Sequence, residues 1–460
     1  MNLNGNGEIP FFRKIVEGGM WFSAASFGTK AVGFFTTLLI LRFLSPYEFG
    51  LYKLVLAAYG LLALFLFAGI DQIVLADLMR AKDERNYSLV NRILLEFVSL
   101  KAGIGLLLFM ATFSGAKFIG MWYGADVGYL VRIISFLFLI VAAERAMHMV
   151  FNYHLSFHAM ALFTLIEEAV KLSFLLFFIF IADLGVSGVV LAGVVASGSV
   201  FFIFLPYALL LLRKIPRAPL EKRMVIARAF LAYGKWAVGL SYVNDFQRNA
   251  RPWLIRYFLS TEAVGLFAIA ESLYNQAVGL IPLGNVLIPT VAQNIRNRAR
   301  IKHLLYYGMK YGTPFFVFVA LISAAAVPFL ISFFFPQHVF SLPIFYVLLL
   351  AMLTTGTAHL LTSIFYAERE QRIHFFIVAA AASLTIVLGA GAISLWGLYG
   401  IAFEFVLAAL FFNAARLWYV FCRFPELRFP LGSLFCFGKE DRSIVRRGAV
   451  YVKERILRVS

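Results

Sequence analysis

Two cysteines in 460 residues, Cys422 and Cys436, both in a basic C-terminal stretch, provide neither a disulfide framework nor a set of metal ligands. Charge is also sparse. Asp, Glu, Lys and Arg make up 14% of the chain, against about 25% in an ordinary soluble domain. Enzyme signatures are missing as well: there is no Gly-x-x-x-x-Gly-Lys phosphate loop, no metal-spaced His/Cys cluster and no serine elbow. A membrane glycosyltransferase or polymerase needs carboxylates in a sizeable outward loop, and the loops here are short and basic. The expectation is a protein that is not an enzyme and carries no cofactor or metal. A cleaved signal is not expected either, since Met1–Pro10 is polar and the basic pair Arg13-Lys14 is followed by Glu17 and a full-length apolar run.

What the chain has in abundance is apolar surface. Hydrophobic residues account for 62% and aromatic residues for 17%, including 51 Phe, where soluble proteins hold about 45–50% apolar. A span needs about 20 apolar residues. By that measure twelve spans are predicted, near 18–41, 50–76, 92–114, 129–152, 159–182, 186–212, 233–257, 262–290, 306–335, 342–366, 373–395 and 397–421. The net charge of +17 is spread over alternate loops rather than one patch, which is an orientation signal in a bilayer and not a nucleic-acid footprint. Basic residues precede the first span and follow spans two, six, eight, ten and twelve, which predicts both termini on the cytoplasmic side. The connections on the other side carry only Arg42, Lys53, Lys117, Arg132 and Arg256.

The chain also repeats itself. Leu41-Arg42-Phe43-Leu44-Ser45 followed by Glu48, Gly50 and Leu51 matches Ile255-Arg256-Tyr257-Phe258-Leu259-Ser260 followed by Glu262, Gly265 and Leu266, and Gly69 keeps register with Gly284. Two halves in the same orientation follow: residues 1–212 and 233–421, each with six spans, joined by a cytoplasmic linker at 213–232 and followed by a basic tail at 422–460. In the tail, Ile444, Val445, Ala449, Val452 and Ile456 alternate with Arg446, Arg447, Lys453 and Arg455, a pattern that fits either an amphipathic helix on an anionic leaflet or a solvated tail.

Ionisable residues inside spans are costly and mark candidate sites. On span seven, Asn244, Asp245, Arg248, Asn249 and Arg251 share an arc of about 160° at helical spacing, which makes that helix a candidate wall of a polar cavity. Span one carries Lys30, either for an anionic head group or paired with a carboxylate such as Asp245 or Glu271. Span four carries Glu144, Arg145 and His148, and span five carries Glu167, Glu168 and Lys171. These two spans either neutralise one another or use His148 or a glutamate as a proton carrier. Span eight has Glu271 and Asn275 on one face, with Pro282 and Pro289 as kinks or as a hinge. Span ten has Thr354, Thr355, Thr357, His359, Thr362 and Ser363, suited to sugar hydroxyls or to plain helix packing.

The stretch LRFLSPYEFGLYKLVLAAYGLLALFLFAGIDQ, beginning at Leu41, with the basic loop after it, resembles the opening of the polysaccharide transporter family of O-antigen flippases. The Leu-Ser-Pro-x-Glu-Phe-Gly-x-Tyr turn at Leu44–Tyr52 carries most of the likeness. These proteins group with MATE-type exporters and the lipid II flippase. The resemblance implies an all-α polytopic fold, two six-helix lobes in a V around a central cavity that opens alternately to each side. It also implies export of polyprenyl-pyrophosphate-linked oligosaccharide across the bacterial inner membrane for surface polysaccharide such as O-antigen or capsule. Expected partners are that lipid-linked oligosaccharide, membrane lipid, and a polysaccharide polymerase with other assembly enzymes. Chosen by depth and face, Lys30, Arg145, Arg248 and Arg251 are the head-group candidates, and Asp245, Glu271, Glu144 and His148 the ion-coupling or counter-charge candidates. The alternative within the same fold is a cation-coupled antiporter of drugs or metabolites using Asp245 or Glu271. A major facilitator protein expects a glycine-rich basic loop after span two, and Asp77–Asn86 lacks its glycines.

Overall fold

A computed structural model describes residues 27–66, 68–221, 226, 235–279, 287, 291, 297–368 and 370–435. The described residues are 91% helical and contain no strand, as a chain that must satisfy every backbone group without water demands. The helices follow the expected spans: α1 over 27–43, α2 as Pro46–Ala63 and Ala68–Asp83, α3 Tyr87–Tyr123, α4 Ala125–Tyr153, α5 Phe157–Leu176, α6 Gly185–Arg213, α7 Lys235–Phe258, α8 Thr261–Gly279, α9 Arg298–Phe334 and α10 Pro336–Ala367. Gln371–Arg423 is two helices, α11 and α12, meeting at Gly397, whose φ of 56° and ψ of −135° suit glycine alone. Among the described residues seven helices, counting α11 and α12 as one, are long and apolar enough to cross a membrane. Their outer faces expose Trp122, Phe202, Phe329, Leu395 and Trp418, as lipid contact requires. The chain is a multi-pass membrane protein. Left out of that count are α1, α5, α7 and α8, each of which carries charged residues within its length.

The described residues form two compact units, one holding the chain up to Gln276 together with Ala326–Leu348 and Gln371–Phe405, the other holding Ala277–Ala325, Leu349–Glu370 and the residues from Val406 on. In the first unit α3 packs along α4, α5 along α6, and α7 against α2. In the second, Arg298 pairs with Glu368 and stacks over Phe424, Arg416 Nη1 donates to Thr362 Oγ1 at 3.0 Å, and Phe365 stacks on Tyr419. The hydroxyl-rich face of α10 is spent largely on its own backbone: Thr354, Thr362 and Ser363 donate to Ala351, Ala358 and His359 carbonyls at 2.8–3.1 Å. That is the packing role of such residues.

The repeated turn explains how α2 and α8 begin. Ser45 caps α2, Pro46 takes the first helical position where its missing N–H costs nothing, and Glu48 returns its carboxylate to the Ser45 N–H at 2.8 Å. At the repeat, Ser260 Oγ accepts from the Ala263 N–H at 3.1 Å. These two starts then cross in the first unit. A Cβ placed on Gly50 lies 2.0 Å from the Thr261 carbonyl oxygen, and one on Gly265 lies 1.8 Å from the Pro46 oxygen. The repeat-related glycines therefore bring two helix backbones into direct contact. Losing the cap is a modest perturbation by comparison: Ser45→Ala is expected to lower stability by about 1 kcal/mol, and Ser45→Asp to restore most of it, read as thermal unfolding of purified protein.

Candidate functional site

A cavity of about 330 Å³ opens in the first unit between α1, α2, α5 and α8. Helical spacing brings Thr29, Lys30, Gly33 and Thr37 of α1 to it, Tyr52 and Lys53 of α2, Glu168 and Lys171 of α5, and Ser272 and Gln276 of α8. Its charged lining is three ammonium groups against one carboxylate. Lys171 Nζ stands 3.7 Å from Glu168, and Lys53 Nζ donates to Ser272 Oγ at 3.2 Å while resting over the Phe49 ring. Within a span, a lining with more ammonium groups than carboxylates favours an anion, and hydroxyl and amide groups beside them match a polar, multiply oxygenated ligand.

The polar stripe of α7 divides. Arg248 and Asp245 pair at 2.7 Å on an open face, with side chains 72% and 39% exposed. Arg251, three residues on, is 7% exposed and lies between two carboxylates, Glu271 at 3.5 Å and Glu404 of α12 at 3.8 Å, with its guanidinium over Phe405. Gln247 reaches Thr385 of α11 at 2.9 Å. Arg251 thus joins α7 to α8 and α12, whereas Arg248 serves only its own helix.

A second buried cluster joins α3 to α2. Lys101 of α3 donates to the Leu66 carbonyl, in the 3-10 turn Leu64–Leu66, at 2.6 Å and pairs with Asp71 at 2.6 Å, which also meets Arg145 at 3.5 Å. Glu144 is buried with Oε1 lacking a hydrogen-bond partner, His148 packs edge-on to Phe163 at 4.8 Å, and Glu167 accepts from Ser197 Oγ.

Of the residues singled out from sequence, Lys30 lines the cavity, Arg251 and Glu271 meet, Asp245 and Arg248 meet, and Glu144, Arg145 and His148 line α4 beside the Asp71 cluster. The ion pair on α5 is Lys171 with Glu168. Lys53, counted above among the outer connections, lies inside α2 and lines the cavity, a correction that the Ser45-x-x-Glu48 capping signature already carries because it starts the helix at Pro46. Lys101 and Glu404 gave no such signal: each is a lone charge in an apolar run whose partner lies on another helix. Pro282, Pro289, half of the linker and the tail pattern lie outside the described residues.

Known structures give this fold a context. An inward-facing multidrug resistance MATE transporter of the MOP superfamily superposes with a TM-score of 0.73 at 12% identity, over 86% of this chain and 95% of that one. The lipid II flippase MurJ in an inward closed conformation gives 0.70 at 15% identity over 94% and 93%. A MOP superfamily transporter from Pyrococcus furiosus, described as having a binding pocket of reverse polarity, gives 0.64 at 12% over 90% and 96%. At these identities the likeness establishes the all-α transporter fold. No curated protein matches the chain. The family described as polysaccharide biosynthesis protein matches residues 15–295, more than half of the sequence, and the chain belongs to that family.

Proposed function

We propose that this protein is a flippase that carries polyprenyl-pyrophosphate-linked oligosaccharide from the cytoplasmic to the periplasmic leaflet of the bacterial inner membrane by alternating access, for assembly of a surface polysaccharide such as O-antigen or capsule. The observation that carries the reading is the cavity in which Lys30, Lys53 and Lys171 face a single carboxylate. A lipid tail can stay in hydrocarbon while the head crosses, so the protein has to shelter only phosphate and sugar oxygens. The three ammonium groups take the pyrophosphate; Thr29, Thr37, Ser272 and Gln276 meet the first sugar. Arg145 and Arg248, each tied to one carboxylate at a partly exposed site, exchange that partner for the anionic head as it passes. Arg251 pairs with Glu271, next to the cavity-lining Ser272, and so helps to position α8. MurJ, named as a lipid II flippase, is a precedent for a lipid-linked cargo on this fold. We place both termini in the cytoplasm and divide the chain into six-helix lobes at 1–212 and 233–421, with the 213–232 linker and the basic 422–460 tail on the same side.

The test is a flip assay in proteoliposomes with a lipid-pyrophosphate-linked oligosaccharide, and with a cationic drug as rival cargo. Lys53→Ala with Lys171→Ala is expected to slow lipid movement at least about tenfold, the loss of two charge-assisted contacts of roughly 1.5–3 kcal/mol each. Lipid movement unaffected by the double substitution defeats the cavity assignment. Drug movement without lipid movement defeats the flippase reading in favour of an antiporter.

A further inference from the structure

Glu404 is a buried charged group that the transport reading leaves unused. It is 3% exposed, and among the described residues no donor lies within hydrogen-bond reach of either carboxylate oxygen. The charged groups facing it are the Arg251 guanidinium of α7 at 3.8 Å and, across that guanidinium, Glu271 of α8; Thr385 of α11 is the neutral polar neighbour. One arginine is therefore divided between two carboxylates. Glu271 has a second basic neighbour in Lys53, whose ammonium donates to the adjacent Ser272 hydroxyl at 3.2 Å. The charges alternate from the cavity inward as Lys53, Glu271, Arg251, Glu404.

An alternating row transmits occupancy. When an anion enters the cavity and draws the Lys53 ammonium to itself, Glu271 loses that compensation and turns to Arg251. Glu404 is then a buried carboxylate without a counter-charge, a state that costs several kcal/mol and that a carboxyl group escapes by binding a proton. We infer that Glu404 is a proton-binding site coupled to the anion cavity, so that the protein takes up one proton from solvent, converting the Glu404 carboxylate to the carboxylic acid, as it binds a phosphate-bearing head group. The inference rests on the reading of the cavity as an anion site. It makes the proton a co-substrate that binds with the cargo.

The sign follows from linkage. If binding takes up a proton, raising the pH weakens binding, by up to about tenfold per pH unit for one proton. The probe is inorganic pyrophosphate, titrated into full-length protein in nanodiscs by calorimetry in buffers of different ionisation enthalpy, with Glu404→Gln as the variant. Because pyrophosphate itself titrates, the comparison is between wild type and variant at each pH. Wild type should take up one proton more than Glu404→Gln, and its affinity should fall more steeply with pH. Glu404→Gln, fixed in the neutral form, should bind more tightly than wild type at alkaline pH, a gain that damaged packing does not produce. An infrared carboxylic-acid band that appears in wild type on adding pyrophosphate keeps the proposal testable should the variant fail to fold. Pyrophosphate binding with no extra proton, or with no such band, overturns the proton site and leaves the cavity reading intact. Absence of pyrophosphate binding to wild type overturns the cavity reading and the coupling with it.

Discussion

Gly265→Leu is expected to leave no monodisperse protein after extraction from membranes, and Gly50→Leu to do the same. The argument is steric and local. Even the first atom of a side chain at 265 falls 1.8 Å from the Pro46 carbonyl oxygen and 2.8 Å from its carbon, and at 50 it falls 2.0 Å from the Thr261 oxygen. The obstacles are backbone at the capped starts of two helices, and neither can yield the way a flexible side chain does. The α2–α8 crossing has to open by more than 1 Å, which exceeds the roughly 1–3 kcal/mol of ordinary core overpacking. Gly103→Ala and Gly391→Ala are the controls, since a Cβ there meets nothing within 4 Å; size-exclusion profiles and melting curves of all four variants decide the matter.

Arg251→Met should be the second most damaging single change, and Arg248→Met close to neutral for stability, although the two arginines are three residues apart on one stripe. Removing the Arg251 guanidinium leaves the buried Glu404 and the half-buried Glu271 without their shared cation, a loss of about 3–5 kcal/mol by comparison with other broken buried pairs. The Arg248 pair with Asp245 is open to solvent and spans less than one turn of its own helix, a kind of pair whose loss is worth little. Adding Glu404→Gln to Arg251→Met should recover part of the stability, because it removes one of the stranded charges. Equal melting behaviour of the two single variants would show that the triad does not hold α7, α8 and α12 together.

These two positions also mark what was legible in the chain before its structure. Helix placement followed from length and apolarity, since a span has one way to satisfy its backbone; the turns at Ser45 and Ser260 were readable because capping is a local interaction within four residues. Charge pairing was not readable. Arg251 looked equivalent to Arg248 because helical periodicity places a side chain on a face and leaves open which helix meets that face. Lys53 was misplaced for a smaller reason: the expected span began at residue 50, which set the lysine at its edge, whereas the helix begins at Pro46. Lys101 and Glu404 were passed over because an isolated charge in an apolar run has no sequence partner to reveal it; the partner lies about 30 residues away for Lys101, at Asp71, and about 150 for Glu404, at Arg251.

Gly50 and Gly265 occupy the same place in the two copies of the repeated turn, and they touch. Each sets the limit for the other: a side chain at either position meets the backbone that carries its counterpart. Two positions 215 residues apart in sequence are therefore one steric unit, and a change tolerated at one has to leave the other's helix where it stands.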